Sequence, residues 1–316
     1  MAEVKDMDIE MRQAYCRTLM ELAQEDPRVV ILEADLMKAS GTMPFKEAFG
    51  KRAIDVGVAE ADMVGIASGL SAQGFVPFAS TFSCFAARRA FDQFFISANY
   101  ARLNVKLVGT DPGVMAAFNG GTHMAFEDIG LMRMIPDVVI AEPSDCASVK
   151  GIVKAMYRHQ GSCYLRLQRQ AASDIYGSYE NFELGRSKIL CSGGDVTIIA
   201  LGALLVHNAI IAAEKLKTEG IQATVIDALS VKPLDRELIL SSVRRTGAVI
   251  TCENHQTDGG LGMAVTKLLA EEGLCNRIGY IGIDDRFGQV GTVDFLAGEY
   301  NLKADDICAK VRSILK

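Results

Sequence analysis

Residues 55–85, DVGVAEADMVGIASGLSAQGFVPFASTFSCF, form the stretch that decides the fold. An apolar segment at 55–58 predicts a strand, and Glu60 follows it at the start of a helix of small residues. A second apolar strand then leads to Phe82 and Phe85. A carboxylate at a strand-to-helix junction is poorly solvated, so we expect it to hold its proton more tightly than in water. The aromatic side chains offer a stacking surface for a flat heteroaromatic ring.

The composition is that of an ordinary globular protein. The chain has 316 residues, enough for about two domains of roughly 150 residues each. A net charge of −6 without a long basic run argues against nucleic acid as the main partner. No run of about 18 uninterrupted apolar residues occurs, so a membrane span is not expected. The charged N-terminal stretch lacks the apolar core of a signal peptide, and the expected location is therefore the cytoplasm.

The cysteines do not form a metal-binding pattern. Eight of them are scattered along the chain, and no C-x-x-C pair occurs. We therefore expect reduced thiols and no metal cluster.

Strand and helix patterns alternate along the chain and predict an α/β fold built on parallel or mixed sheets. In the first half, the predicted helices are 7–25, one that begins near residue 61, 82–100, 126–133 and 147–159. The predicted strands are 29–35, 55–58, 75–79, 105–111, 137–145 and 163–169. The pattern loosens at 171–194, and a second α/β series follows. The predicted organisation is a first domain at 1–180, a linker at 181–193 and a second domain at 194–316.

Three blocks resemble one known family. They are VGVAEADMVGIASGLS at 56–71, PFASTFSCF at 77–85 and NGGTHMAFEDIGLMRMIPDVVIAEPSD at 119–145. Their order and spacing resemble the C-terminal half of transketolases, which are thiamine-diphosphate enzymes. The resemblance covers nearly the whole chain, and it implies a pyrimidine-binding α/β domain followed by a transketolase C-terminal domain.

The resemblance assigns roles around the cofactor. Glu60 matches the family carboxylate that hydrogen-bonds the aminopyrimidine ring of thiamine diphosphate, and Phe82 and Phe85 match aromatic residues that pack on that ring. Asp35, at the end of the first predicted strand, matches a cofactor-contacting aspartate. His123, in a Gly-Thr-His loop, matches an active-site histidine, which is able to donate to a sugar hydroxyl or a developing alkoxide.

The resemblance also assigns substrate contacts. Arg12 and Arg169 match family arginines, whose planar guanidinium groups suit a substrate phosphate. The loop TDPGVMAAFNGGTH departs from the family pattern. Asp111 stands where a sugar-contacting histidine is common, Asn119 where an aspartate is common, and Gly121 where proline is common. These departures put the usual pentose-phosphate substrates in doubt and favour a modified or branched sugar phosphate.

A missing motif points to a partner chain. The family holds the cofactor diphosphate and its Mg²⁺ or Ca²⁺ with a Gly-Asp-Gly motif followed by Asn, and no Gly-Asp-Gly occurs here. Because the diphosphate charge must be neutralised by that metal, we expect a separate N-terminal transketolase subunit to hold it. The expected assembly is an α2β2 heterotetramer that transfers a two-carbon ketol unit from a ketose phosphate to an aldose.

Other readings of the chain stay open. The β subunit of a 2-oxo acid dehydrogenase shares the two-domain plan, although the His123 loop and the Ser-Thr-Phe block favour a transketolase. A fragment of 1-deoxyxylulose-phosphate synthase is similar at 89–93 (RAFDQ) and 134–137 (MIPD). A catalytically silent subunit is the non-enzymatic alternative, and the presence of Glu60 and His123 argues against it.

Overall fold

The computed structural model describes residues 9–177, 180–274 and 277–316. The helices are, in chain order, α1 (Met11–Glu25), α2 (Met37–Ser40), α3 (Met43–Phe49), α4 (Glu60–Ala72), α5 (Ser83–Arg88), α6 (Phe91–Gln93), α7 (Asp128–Arg133), α8 (Cys146–Arg158), α9 (Gly202–Thr218), α10 (Arg236–Thr246), α11 (Leu261–Glu271), α12 (Val293–Glu299) and α13 (Ala304–Leu315). A π-helical segment spans Phe94–Tyr100, and 3₁₀ turns lie at Gly50–Arg52, Gly113–Asn119 and Gly121–His123.

The strands are β1 (Val29–Glu33), β2 (Ala53–Asp55), β3 (Val76–Phe82), β4 (Lys106–Thr110), β5 (Val139–Ala141), β6 (Cys163–Leu167), β7 (Lys188–Cys191), β8 (Val196–Ala200), β9 (Ala223–Asp227), β10 (Ser230–Lys232), β11 (Ala248–Gln256) and β12 (Arg277–Ile283). The chain divides into two compact units. The first comprises the chain up to Pro112 together with Leu131–Leu184, and the second comprises Gly113–Gly130 together with Gly185–Lys316. In the predicted domain bounds, segment 113–130 belongs to the first domain. Those bounds stay a prediction.

The first unit is built on parallel strands in the order β5-β6-β4-β3-β1-β2. Strands β1, β4 and β6 are buried along their whole length, as expected for a parallel sheet that is covered on both faces. Because all the strands run the same way, their carboxyl ends lie at one edge. Glu33, Asp111 and Arg169 lie at or just beyond those ends.

The second unit carries the order β12-β11-β8-β9-β7. Its strands are parallel except β7, which is antiparallel to β9 at the edge of the sheet. The predicted fold class, two α/β units with parallel or mixed sheets, is confirmed. No helix among the described residues is long and apolar enough to cross a membrane.

Several predicted elements differ from those observed. Strand β2 ends at Asp55, so the predicted strand at 55–58 is wrong, and the Val58 side chain is 70% exposed. The predicted helix at 82–100 is broken, because the N–H groups of Arg89 and Ala90 both donate to the Phe85 carbonyl and Ala90 leaves helical geometry at φ −108° and ψ 7°.

Other differences concern element ends and short elements. Helix α1 begins at Met11, where Glu10 and Gln13 form a capping box, while predicted helical positions 7 and 8 lie outside the described residues. The predicted linker contains β7, whose Lys188 pairs with Asp227 of β9. Short elements such as α2, α3 and β10 were not predicted, because so few residues carry too little periodicity.

The Lys106 side chain stabilises the edge of the first sheet at which the parallel strands begin. The side chain is fully buried at the first position of β4. The amine donates to Asn104 Oδ1 at 2.5 Å, to the His159 carbonyl at 2.9 Å and to the Gly161 carbonyl at 2.6 Å. Burial lowers the pKa of Lys106, which reflects the cost of keeping a charged amine away from water.

Replacing Lys106 with Met should destabilise the protein by roughly 1–3 kcal/mol, since buried acceptors would lose their donor. The urea midpoint of unfolding measures this. The matched control is Lys51→Met, because Lys51 is exposed in the same unit. Its free energy of unfolding should stay within about 0.5 kcal/mol of that of the parent protein. Equal midpoints for the two variants would contradict this role of Lys106.

Candidate active site

Glu60 is positioned by the turn that connects β2 to α4. The Asp55 Oδ1 atom accepts the Gly57 N–H at 3.1 Å, and Gly57 takes the left-handed φ of 73° that the turn requires. Glu60 is the first residue of α4, and its side chain is only 4% exposed. The expected burial of this carboxylate is therefore observed.

Arg89 occupies the space beside this carboxylate. Its Nη1 atom donates to Glu60 Oε1 at 3.0 Å and to Oε2 at 3.3 Å. Its Cζ atom lies 3.9 Å from the centroid of the Phe85 ring, so the guanidinium also covers that ring. In the sequence, Arg89 stands out only as the first residue of the run at 89–93, and no role was predicted for it.

Phe82 and Phe85 form an edge-to-face pair with ring centroids 6.1 Å apart. Phe82 ends β3 and Phe85 lies on α5. The guanidinium Cζ of Arg169 lies 5.1 Å from the Phe82 ring centroid. The aromatic pair therefore connects the Glu60 carboxylate to a second basic group.

Arg169 and Arg12 converge on one backbone oxygen. The Ala39 carbonyl accepts Arg12 Nη1 at 2.8 Å and Arg169 Nη1 at 3.4 Å. The backbone holds the two residues side by side, because the Arg12 N–H donates to the Arg169 carbonyl at 3.2 Å. Their side chains keep 27% and 21% of their exposure, so the convergent guanidinium groups remain open to an anion.

Each of these arginines also has an acidic partner. Arg12 Nε donates to Glu10 Oε2 at 2.6 Å, and Arg169 forms an ion pair with Asp111 through Nε at 2.5 Å. Asp111 is buried and has φ 49°. Burial raises the pKa of Asp111, although Arg169 opposes that effect.

Glu33 is a buried carboxyl group that sequence reasoning missed. It ends β1, is fully buried, and accepts Ser40 Oγ at 3.0 Å and Thr42 Oγ1 at 2.7 Å. Burial raises the pKa of Glu33 to about 8. The available signal was a glutamate at the end of the apolar run VVILE, with hydroxyl residues in the loop that follows.

Asp35 lies apart from the groups described above. Its side chain is exposed and its φ is 61°, while its N–H donates to Asp55 Oδ1 at 2.9 Å. The structure therefore brings together Glu60, Phe82, Phe85, Arg12, Arg169 and Asp111. Asp35 borders the Glu60 turn through Asp55.

His123 and Asn119 belong to the second unit. His123 is half-buried in a 3₁₀ turn, and its Nδ1 atom lies 2.9 Å from Thr122 Oγ1. Asn119 is exposed and follows Ala117, whose φ of 47° and ψ of −116° interrupt the preceding 3₁₀ segment. Joint action of these residues with Glu60 stays a prediction.

In the loop that carries His123, the backbone of Gly121 packs directly against the backbone of Gly288. A Cβ atom on Gly121 would lie 2.2 Å from the Gly288 carbonyl oxygen, so only glycine fits there without a backbone shift. Asn254 Oδ1 also accepts the Val114 N–H at 3.0 Å. The sequence departure at Gly121 therefore has a structural reason, because a proline would also bring a Cβ atom into this contact.

His255 is a structural residue in the same unit. It is fully buried, its Nδ1 lies 2.7 Å from the Gln256 carbonyl, and its Nε2 accepts the Gly130 N–H at 3.2 Å. These contacts indicate a neutral imidazole protonated on Nδ1. His255 anchors the end of segment 113–130.

Comparison with known proteins assigns both units. Residues 7–174 match the family model for the transketolase pyrimidine binding domain, and residues 185–307 match the transketolase C-terminal domain. These are domains of thiamine-diphosphate enzymes. The chain belongs to the transketolase family.

Relatives of similar length include proteins named as transketolase subunits or sections. The 6-deoxy-6-sulfo-D-fructose transketolase subunit SqwH of Clostridium sp. (strain MSTE9) is 45% identical, with 96% of this chain and 94% of the relative covered. A putative transketolase C-terminal section of Methanocaldococcus jannaschii is 38% identical, with 97% and 96% covered. A solved split gene transketolase, described as an inactive beta4 tetramer, is 42% identical with a TM-score of 0.89, and 97% and 98% of the two chains are covered.

A longer relative supports one of the alternatives. The 1-deoxy-D-xylulose-5-phosphate synthase of Heliobacterium modesticaldum is 36% identical over 96% of this chain, which spans 46% of that enzyme. The similarity predicted at 89–93 and 134–137 therefore has a basis at the level of the family.

Replacing Gly121 with Ala should destabilise the protein by about 1–3 kcal/mol, because the new Cβ meets backbone that cannot rotate away. The matched control is Gly69→Ala on α4, where a Cβ meets nothing within 4 Å. This control should stabilise by about 0.5–1 kcal/mol through helix propensity. Urea unfolding compares the two, and a neutral Gly121→Ala would contradict the packing described here.

Proposed function

We propose that this chain is the C-terminal subunit of a split transketolase, a transferase that acts with thiamine diphosphate and an N-terminal partner subunit. The observation that carries the proposal is the buried Glu60 carboxylate at the start of α4, beside the edge-to-face pair of Phe82 and Phe85. The transketolase subunits among its relatives support the same reading.

The proposed reaction moves a two-carbon ketol unit without net oxidation. The bond between C2 and C3 of a ketose phosphate breaks, and the donor leaves as an aldose two carbons shorter. The unit joins the aldehyde carbon of the acceptor, whose oxygen gains the proton that the donor C3 hydroxyl loses. Bound thiamine diphosphate supplies the electron sink for this chemistry.

The residues present fit the pyrimidine end of that cofactor. The Arg89 guanidinium is itself a planar group with N–H donors, and it lies against both the Phe85 ring and the Glu60 carboxylate. A flat ring with a hydrogen-bonding nitrogen matches the same surroundings. In this proposal, Glu60 holds a proton shared with the ring nitrogen, Phe82 and Phe85 pack on the ring, and Asp35 contacts the cofactor beside the Glu60 turn.

The remaining site residues serve the substrates in this proposal. Arg12 and Arg169 bind the terminal anion of the sugar, and Asp111 fixes the direction of the Arg169 guanidinium. His123 donates to a substrate hydroxyl or a developing alkoxide, and Asn119 contacts the sugar from the same loop.

The partner subunit would hold the diphosphate and its Mg²⁺ or Ca²⁺. Among the described ranges 9–177, 180–274 and 277–316, no group of three or more His, Cys, Asp or Glu residues is arranged to hold a metal ion. The solved relative that is described as an inactive beta4 tetramer supports a chain that self-associates but needs a partner for activity. An α2β2 assembly satisfies both conditions.

The substrate we favour is a modified sugar. The departures at Asp111, Asn119 and Gly121 favour a substrate other than the usual pentose phosphates. The Clostridium relative, which is 45% identical to this chain, is named for such a modified sugar, 6-deoxy-6-sulfo-D-fructose, and this supports the choice. The second candidate is a 1-deoxyxylulose-phosphate synthase-like activity, which the Heliobacterium relative favours.

An assay with the assembled complex separates these candidates. Ketose phosphates and 6-deoxy-6-sulfo-D-fructose, each with an aldose acceptor, test ketol transfer, and pyruvate with glyceraldehyde 3-phosphate tests the synthase. A 2-oxo acid with an artificial electron acceptor tests a dehydrogenase. Turnover only with the 2-oxo acid substrates would overturn the transketolase proposal.

Replacing Glu60 with Gln should lower kcat of the assembled complex by at least about a hundredfold, because the shared proton is lost. The control is Asp62→Asn, an exposed acidic residue in the same first turn of α4, which should keep kcat within about twofold. Steady-state kinetics with saturating cofactor measures both. Unimpaired turnover in Glu60→Gln would favour the silent-subunit reading.

Replacing Arg89 with Ala should tighten thiamine diphosphate binding to the complex by about two- to fivefold, since an ion pair that competes for Glu60 is removed. Titration calorimetry with the partner subunit and Mg²⁺ measures the dissociation constant without turnover. Arg88→Ala, at the last residue of α5 and next to Arg89 in the chain, is the control, and the effect of Arg89→Ala should vanish in a Glu60→Gln background. Weaker binding in Arg89→Ala would instead make Arg89 a cofactor-holding residue.

A further inference from the structure

We infer that Glu33 is a positioning residue for substrate binding: through Ser40 and Thr42 it fixes the carbonyl of Ala39 on which Arg12 and Arg169 converge. The inference rests on the proposed function, in which these arginines bind the terminal anion of the sugar. In this inference, Glu33 touches neither the substrate nor the cofactor. It controls the spacing of the two guanidinium groups.

Glu33 restrains the loop that follows β1 through two hydrogen bonds. Glu33 is fully buried at the end of β1, and both carboxyl oxygens accept a hydroxyl from the loop, Ser40 Oγ at 3.0 Å and Thr42 Oγ1 at 2.7 Å. Ser40 and Thr42 are themselves buried. Because little water competes for these hydrogen bonds, the loop between β1 and α3, which contains the short helix α2, has little freedom.

That loop also contacts Arg12. Gly41 lies between the two hydroxyl residues and takes a left-handed φ of 75°. A Cβ atom on Gly41 would lie only 3.2 Å from Arg12 Cγ, so the loop backbone packs directly on the arginine stem. The same loop presents the Ala39 carbonyl to the end of that side chain at 2.8 Å.

The position of the Ala39 carbonyl also affects the two positive charges of Arg12 and Arg169. Two guanidinium groups repel each other, and the shared carbonyl between them offsets only part of that repulsion. An anion bound by both must find their N–H groups at a fixed separation, which is the condition for multidentate recognition. A carbonyl that moves with a loosened loop would lose that separation while leaving Glu60 in place.

Thr42→Val tests the inference in the assembled complex. It removes one hydroxyl donor to Glu33 and nearly keeps the side-chain shape. The KM for a phosphorylated aldose acceptor should rise by about five- to tenfold, the equivalent of one buried hydrogen bond, with kcat little changed. The KM for glycolaldehyde, an uncharged acceptor, should not change, because no terminal anion is bound.

Thr18→Val is the matched control. Thr18 is equally buried, and its hydroxyl donates to the Ala14 carbonyl within α1, away from the loop. A general loss of packing would move both variants and both acceptors alike, and that outcome would overturn the inference. Glu33→Gln, which keeps one acceptor oxygen, should impair the phosphorylated acceptor less than Glu33→Leu does.

A second measurement does not depend on turnover. Inorganic phosphate should raise the melting temperature of the parent complex, and this shift should be smaller in Thr42→Val than in Thr18→Val. If the parent complex transfers no ketol unit, the proposed function fails. The shift of the melting temperature by phosphate still reports on anion binding by Arg12 and Arg169. Equal phosphate shifts in the two variants would overturn the role of Glu33.

Discussion

The burial of three carboxyl groups at the carboxyl edge of one parallel sheet is the constraint around which the neighbouring contacts are arranged. Glu33 ends β1, Glu60 follows β2, and Asp111 follows β4, and all three side chains are buried. Burial of a charge is costly unless hydrogen bonds or a partner charge offset it. Arginines offset that cost at Glu60 and Asp111. At Glu33, burial raises the pKa to about 8, and the carboxyl group accepts hydrogen bonds from two hydroxyls.

These contacts form a continuous series along the edge. Glu60 contacts Arg89, Arg89 covers Phe85, Phe85 packs on Phe82, and Phe82 lies beneath Arg169. One end of the series suits a flat ring, and the other end presents paired guanidinium groups. The acidic partners Glu10 and Asp111 reduce the net positive charge of that second end, so an incoming anion must compete with them.

The sequence predicted the parts of this site that carry recognisable residue types at recognisable spacings. Glu60, Phe82 and Phe85 lie within blocks that resemble a family, and they do cluster in the structure. Arg89 received no role because its importance comes from a contact 29 residues away. Glu33 was missed because a glutamate after an apolar run does not reveal that the following segment folds back on the strand end. Strand β7 was missed because it is short, half-exposed and antiparallel, so its pattern resembles that of a linker.

Segment 113–130 limits how this chain can be cut into pieces. The segment belongs to the compact unit that otherwise starts at Gly185, and Asn254, His255 and Gln256 all hydrogen-bond to it. A recombinant fragment that begins at the inter-domain boundary would expose these polar groups and lose the surface that covers them. Sequence changes near Gly288 would likewise shift the backbone that packs against the histidine loop, although these positions are remote in the chain from every proposed ligand contact.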